Sequence, residues 1–190
     1  MTVDDIGHDL RRRVNDLDEV AHRSAVETGR TAPALRDGLQ VPGSRMVLVP
    51  MLTGLWAAGQ AQSEPALSRV ARQGLAALLL GTMAGKAAKR VVCRARPNQG
   101  GNPDRWGKSD GKHASFPSGH AINVSSVATA VAINRGVSPL TVASIGFAAA
   151  VDWSSLATER HWATDLMAGA LLGIAAGMVA SAIDGWMEER

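Results

Sequence analysis

Two histidines, one aspartate and a cluster of cations carry the chemistry this sequence could do. His120 closes the run Phe116-Pro117-Ser118-Gly119-His120, and about forty residues on lies His161-Trp162-Ala163-Thr164-Asp165. On a helix, positions i and i+4 share a face, so Asp165 is placed to hold the imidazole of His161. Ser118 reads as the N-cap of the helical run that follows it, and Gly119 lets a ligand approach the backbone closely. The free N–H groups of a helix start make a ready anion site. A nucleophile, a proton for the leaving oxygen and positive charge around the equatorial oxygens are what phosphate-ester hydrolysis needs.

The positive charge is concentrated in residues 86–120. Every lysine of the chain is there (Lys86, Lys89, Lys108 and Lys112), joined by Arg90, Arg94, Arg96 and Arg105. Only Asp104 and Asp110 oppose them, so this segment carries +6 while the whole chain carries +3. The remainder is net negative, and a field focused in this way draws anions. The cations are not interleaved with aromatic stacking residues and no nucleic-acid module is visible, which argues against a nucleic-acid partner.

These pieces resemble the type 2 phosphatidic acid phosphatase superfamily, which also includes vanadium haloperoxidases and bacterial acid phosphatases. Its pattern has three parts: K-x6-R-P, P-S-G-H and S-R-x5-H-x3-D. Lys89 through Arg96-Pro97 matches the first, Pro117-Ser118-Gly119-His120 the second, and Ser154, His161 and Asp165 the third. The departure is Ser155, which stands where the family has arginine. The resemblance covers about residues 45–187 and rests on three motifs in order.

The resemblance implies roles. His161 would attack phosphorus and form a phosphohistidine, Asp165 would fix its tautomer, and His120 would protonate the leaving group. Lys89, Arg96, Ser118 and the backbone N–H of Gly119 would bind phosphate oxygens, with no metal and no cofactor. The implied enzyme is an integral membrane phosphatase, in the cell membrane, that hydrolyses a lipid phosphate or diphosphate. Ser155 motivates an alternative, an impaired relative that binds anionic lipid or acts as a membrane scaffold. Serine donates one hydrogen bond and carries no charge, where arginine would make bidentate phosphate contacts. Arg160 is a candidate substitute. It lies one residue before His161, so a bent segment would be needed to aim both at one site.

The elements that must position these residues follow from the hydropathy pattern. At 190 residues the chain forms one domain, with residues 1–44 as an N-terminal amphipathic helical segment and 45–190 as the phosphatase bundle. The expected fold class is all-α: about five apolar, transmembrane helices plus the N-terminal helix. Mean hydropathy near zero hides a contrast between polar and apolar stretches. The single Cys93 excludes an internal disulfide. The N-terminus is charged and reads as no cleavable signal peptide.

Val3, Ile6, Leu10, Val14, Leu17, Val20 and Ala21 recur at helical spacing, interrupted by Arg11, Arg12 and Arg13. A helix lying on a membrane surface and a helix packed on the body both fit that stripe. A break at Thr31-Ala32-Pro33 and a turn at Pro42-Gly43 follow. Apolar runs at 46–61, 66–85, 119–135, 138–153 and 163–183 are the five bundle helices. The second is expected to continue through Arg96 until Pro97 stops it, which would put Lys89 and Arg96 on one face. Residues 98–116 read as a loop, in which Trp106 is an interfacial anchor or a cover for the site. Gly169, Gly173 and Gly177 make a small-residue packing ridge on the last helix.

Overall fold

The computed structural model describes residues 3–100, 102–104, 106, 107, 109 and 113–190. Arg105, Lys108, Asp110 and Lys112, four of the charges counted in the 86–120 segment, lie outside the described residues. Among the described residues there are seven α-helices and no strand: α1 Val3–Thr31, α2 Pro33–Gly38, α3 Arg45–Ala61, α4 Pro65–Val92, α5 Gly119–Arg135, α6 Pro139–Ala157 and α7 Ala163–Glu188. The five apolar helices expected from the sequence are α3 to α7.

Helix α5 is the hub. It packs against α4, α6 and α7, while α3 leans on α4 and α1 lies across α6 and α7. Leu48, Leu52, Leu78, Val124, Ala148 and Val151 form the apolar core between them. The α5–α7 contact is the most extensive and is made possible by the glycine ridge. A Cβ at Gly173 would sit 2.5 Å from the Ile122 carbonyl oxygen, and one at Gly169 would sit 2.6 Å from that of Ser118. The two backbones can approach this closely only because the ridge has no side chains.

Local sequence sets the helix starts. Ser138 Oγ accepts from Thr141 N at 3.2 Å ahead of Pro139, which opens α6. Ser118 Oγ accepts from Ala121 N at the start of α5, as the sequence implied.

Two expectations are corrected. Helix α4 stops at Val92, short of Arg96, because Cys93 takes a left-handed conformation (φ 48°, ψ 40°) and its N–H bonds back to Lys89 O. Lys89 is therefore in the last turn of a helix while Arg96 is on an extended strand of loop (φ −78°, ψ 157°), not two turns along the same face. The turn at Cys93 lets Arg94 point into the interior, where it is fully buried. The second correction concerns the shared helix face of His161 and Asp165: α7 starts at Ala163, where the apolar run begins, so His161 precedes the helix and only Asp165 is on it. Helices α6 and α7 also run further than the apolar runs suggested, to Ala157 and Glu188.

Helix α1 turns its apolar stripe outward. Ile6, Leu10, Leu17 and Val20 are exposed, and the face toward the bundle carries Asp18, His22, Ala25 and Gly29 instead. Gly29 sits against the Ala157 methyl, so the approach there is close.

At the end of the bundle away from residues 118–120, Gln73, Asn134, Ser181 and Asp184 form a polar knot. Gln73 Oε1 accepts from Asn134 Nδ2 at 2.6 Å and from Ser181 Oγ at 2.8 Å. Arg72 pairs with Asp184 and, at 2.8 Å, with Glu188.

Candidate active site

The three motifs meet at one end of the bundle. Lys89 from the end of α4, Arg96 from the loop, Gly119 and His120 from the first turn of α5, and His161 from the segment before α7 all line a single cleft of about 280 Å³. Arg45 at the start of α3 and Arg160 line it too. Four cations and two imidazoles thus face one space, and no carboxylate lines it among the described residues.

Lys89, Arg96 and His120 are held by backbone carbonyls. Lys89 Nζ donates to Ala114 O at 2.7 Å. Arg96 Nε donates to His113 O at 3.0 Å and its Nη1 to Arg160 O at 3.1 Å, which ties the two cationic segments together. Burial, then the neighbouring Arg160, lowers the proton affinity of Arg96, although a guanidinium stays cationic at any working pH. His120 Nε2 donates to Gln40 O at 3.1 Å.

Ser118 and Asp165 do not line the cleft. Ser118 is fully buried beneath it as the cap of α5, and its backbone N–H donates to Asp165 O at 2.9 Å. Asp165 is fully buried behind His161, with Oδ2 3.6 Å from His161 Nδ1. That separation is beyond hydrogen-bond length, so the two interact as charge and dipole. Asp165 Oδ2 accepts from Trp162 N at 2.9 Å, closing the first turn of α7. His161 is 3 % exposed. Burial, opposed in part by Asp165 and assisted by Arg96 and Lys89, pushes its imidazole down to about 4. It is neutral at pH 7, the form in which a ring nitrogen can attack.

The chain segment carrying Ser155 turns away from the cleft. Ser155 is fully buried in α6 beside Gln40, whose Nε2 lies 3.3 Å from its Oγ and 2.7 Å from Ser154 Oγ. The cation in this region is Arg160. Helix α6 ends at Ala157 and the backbone bends, with Glu159 at φ 55°, so Arg160 and His161 both reach the cleft.

The model of the PAP2 superfamily matches residues 71–187, more than half of the chain. The chain belongs to the PAP2 superfamily. The match begins within α4, so Asp18, Gln40 and Arg45 of this PAP2 protein lie outside it. LpxE of Aquifex aeolicus has a similar fold, with a TM-score of 0.61 and 21 % identity over 77 % of this chain and 83 % of that one. A sequence search of curated proteins returns no match.

Four residues that spacing did not single out belong to this PAP2 site. Arg45 lines the cleft. Gln40 bonds His120, Ser154 and Arg160, the last at 3.4 Å. Arg94 Nη1 donates to Asp165 Oδ1 at 2.7 Å, and Asp18 of α1 pairs with Arg94. Trp106 does not line the cleft: its ring lies 4.3 Å from the Arg94 guanidinium and 5.6 Å from the Phe116 ring. A stripe of Asp18, His22, Ala25 and Gly29 at helical spacing was the one sequence signal for α1's inward face.

Proposed function

We propose that this PAP2 protein is an integral membrane phosphatase that hydrolyses a lipid phosphate or diphosphate through a phosphohistidine on His161. The observation that carries this reading is the cleft itself. Arg45, Lys89, Arg96 and Arg160 surround it, and two imidazoles open into it without a competing carboxylate among the described residues. A tetrahedral anion is the ligand such a set fits.

In this reading Asp165 faces Nδ1 of His161 and leaves Nε2 to attack phosphorus. The bond from phosphorus to the leaving oxygen breaks, and His120 supplies that oxygen with a proton. Gln40 O holds His120 Nε2–H, so the other ring nitrogen, Nδ1, exchanges the proton. Water then cleaves the P–N bond, with His120 as base. The cations and the Gly119 N–H stabilise the charge on the equatorial oxygens. Arg160 takes the place of the missing arginine, which favours an active enzyme over an anion-binding scaffold.

The membrane setting is supported by α6 and α7, both long and apolar enough to span. They expose Leu140, Val142, Ile145, Leu171, Ile174 and Met178. From Asp165 to Asp184, α7 rises about 28 Å, close to the ~30 Å of a bilayer's hydrocarbon core. An apolar groove of about 460 Å³ between α3 and α6 begins at Leu48, one turn from Arg45 at the cleft. It offers a lipid tail a path beside the head-group site.

The test is phosphate release by purified protein in detergent from phosphatidate, phosphatidylglycerol phosphate and polyprenyl diphosphate, with His161→Ala as control. Release that His161→Ala abolishes is expected. Absence of release from every substrate, or release that persists in His161→Ala, overturns the reading.

A further inference from the structure

We propose that Asp18 and Arg94 are positioning residues of the active site: a buried ion chain runs from the first helix through Arg94 to Asp165 and fixes the carboxylate that backs His161. This rests on His161 as the reacting group. The chain crosses from α1, which lies outside the PAP2 match, to the start of α7.

The geometry is fully determined. Arg94, Asp18 and Asp165 are all 0 % exposed. Guanidinium has five N–H donors, and all are used. Nε donates to Pro103 O at 3.1 Å, Nη1 to Thr164 Oγ1 and Asp165 Oδ1 at 2.7 Å each, and Nη2 to Asp18 Oδ2 at 2.5 Å and Pro103 O at 2.8 Å. The Trp106 and Trp162 rings flank the guanidinium at 4.3 and 5.6 Å. Asp18 Oδ1 accepts from Thr164 N at 2.8 Å, and its Oδ2 from Thr164 Oγ1 at 2.8 Å. Asp18 therefore grips the first turn of α7, where a carboxylate is favoured by the helix dipole.

Asp165 is clamped as a result. Arg94 holds Oδ1, Trp162 N holds Oδ2, and the carboxylate cannot rotate away from His161. Charge is set as well as direction. Two carboxylates share one guanidinium, so one net negative charge remains behind the imidazole. Without Asp18, Arg94 would neutralise Asp165 and draw its electron density away from His161. Stability alone is a poor reason for such a triad, because buried ion pairs replaced by apolar residues are often no less stable. Their place directly behind the cleft gives them a use.

The experiment uses the full chain in detergent and whichever probe the wild type hydrolyses, phosphatidate first. Asp18→Asn keeps the shape and removes the charge. The double variant Asp18→Leu, Arg94→Met removes both charges at once and leaves Asp165 held by Trp162 N alone. Asp18→Asn is expected to lower kcat at least tenfold with KM changed less than threefold. The double variant is expected to melt below wild type, because Asp165 loses its cation, and to be at least tenfold slow at a temperature where it is folded. A purely structural role predicts that both variants keep kcat within threefold of wild type at a temperature where each is folded, and that result overturns the proposal. ¹⁵N-histidine spectra of the same proteins read His161 directly. One tautomer is expected in wild type and a mixture in both variants. If wild type hydrolyses no probe, the proposed activity fails while these spectra still decide the positioning role: an unchanged His161 tautomer in both variants overturns it.

Discussion

Arg160→Ala is the sharpest probe of the cleft. The side chain lines the anion space and is tethered by a weak 3.4 Å bond from its Nη1 to Gln40 Oε1. Truncation therefore leaves the fold nearly untouched, with an expected stability loss of about 1 kcal/mol or less. A cation aimed at developing phosphoryl charge contributes about 2 to 4 kcal/mol to the transition state, or roughly 30- to 1000-fold in rate. The expected outcome is that loss in kcat/KM for phosphate release, with a far-ultraviolet spectrum and melting temperature like wild type. Arg160→Lys keeps the charge without the planar fork and should fall between the two. Restoring the family's arginine by Ser155→Arg should not help. Ser155 is fully buried beside Gln40, so the larger charged side chain meets protein rather than substrate and should unfold the α6 end. An Arg160→Ala enzyme as fast as wild type refutes the assignment of Arg160 to the missing arginine's task.

Two further outcomes test other links. Burial pushes the His161 imidazole from 6.5 down to about 4, so below pH 6.5 the unfolded chain binds a proton that the folded one refuses. Its contribution is complete above pH 6.5 and is lost as pH falls from 6.5 toward 4, about 2 kcal/mol of it by pH 5. Denaturant unfolding in detergent at pH 7 and pH 5 should show that difference, and His161→Gln should remove it. Gly173→Ala places a methyl 2.5 Å from Ile122 O, so α5 and α7 must separate. A loss of about 1–3 kcal/mol is expected, with a lowered melting temperature, whereas Gly146→Ala, where a Cβ meets nothing within 4 Å, should change little.

The apolar runs made the bundle legible, because five blocks between polar punctuation can pack in few ways. Lys89, Arg96, Gly119, His120 and His161 were legible as a group through motif spacing. The partners that orient them were not. Asp18 lies 146 residues from Thr164 and 76 from Arg94, and nothing in local periodicity marks a pairing at that range. Arg94 was counted among the cations that attract an anion, yet its charge is consumed by Asp18 and Asp165. The apolar stripe of α1 is its exposed side, and the face carrying Asp18, His22, Ala25 and Gly29 is the one against the bundle. The overextended reading of α4 has a physical cause too. Nothing in Val91-Val92-Cys93 announces a left-handed residue, and the stop exists because Arg94 must turn inward.

The ion chain also dictates an order of assembly. Asp18 leaves the ribosome early, but Thr164, its partner on the last helix, follows 146 residues later. At about 5–20 residues per second, that is roughly 7–30 s of synthesis. Through that interval α1 has no anchor at α7. Arrival of the final helix completes the grip on the first one, which a nascent chain halted before α7 can hold only through Arg94 and α6.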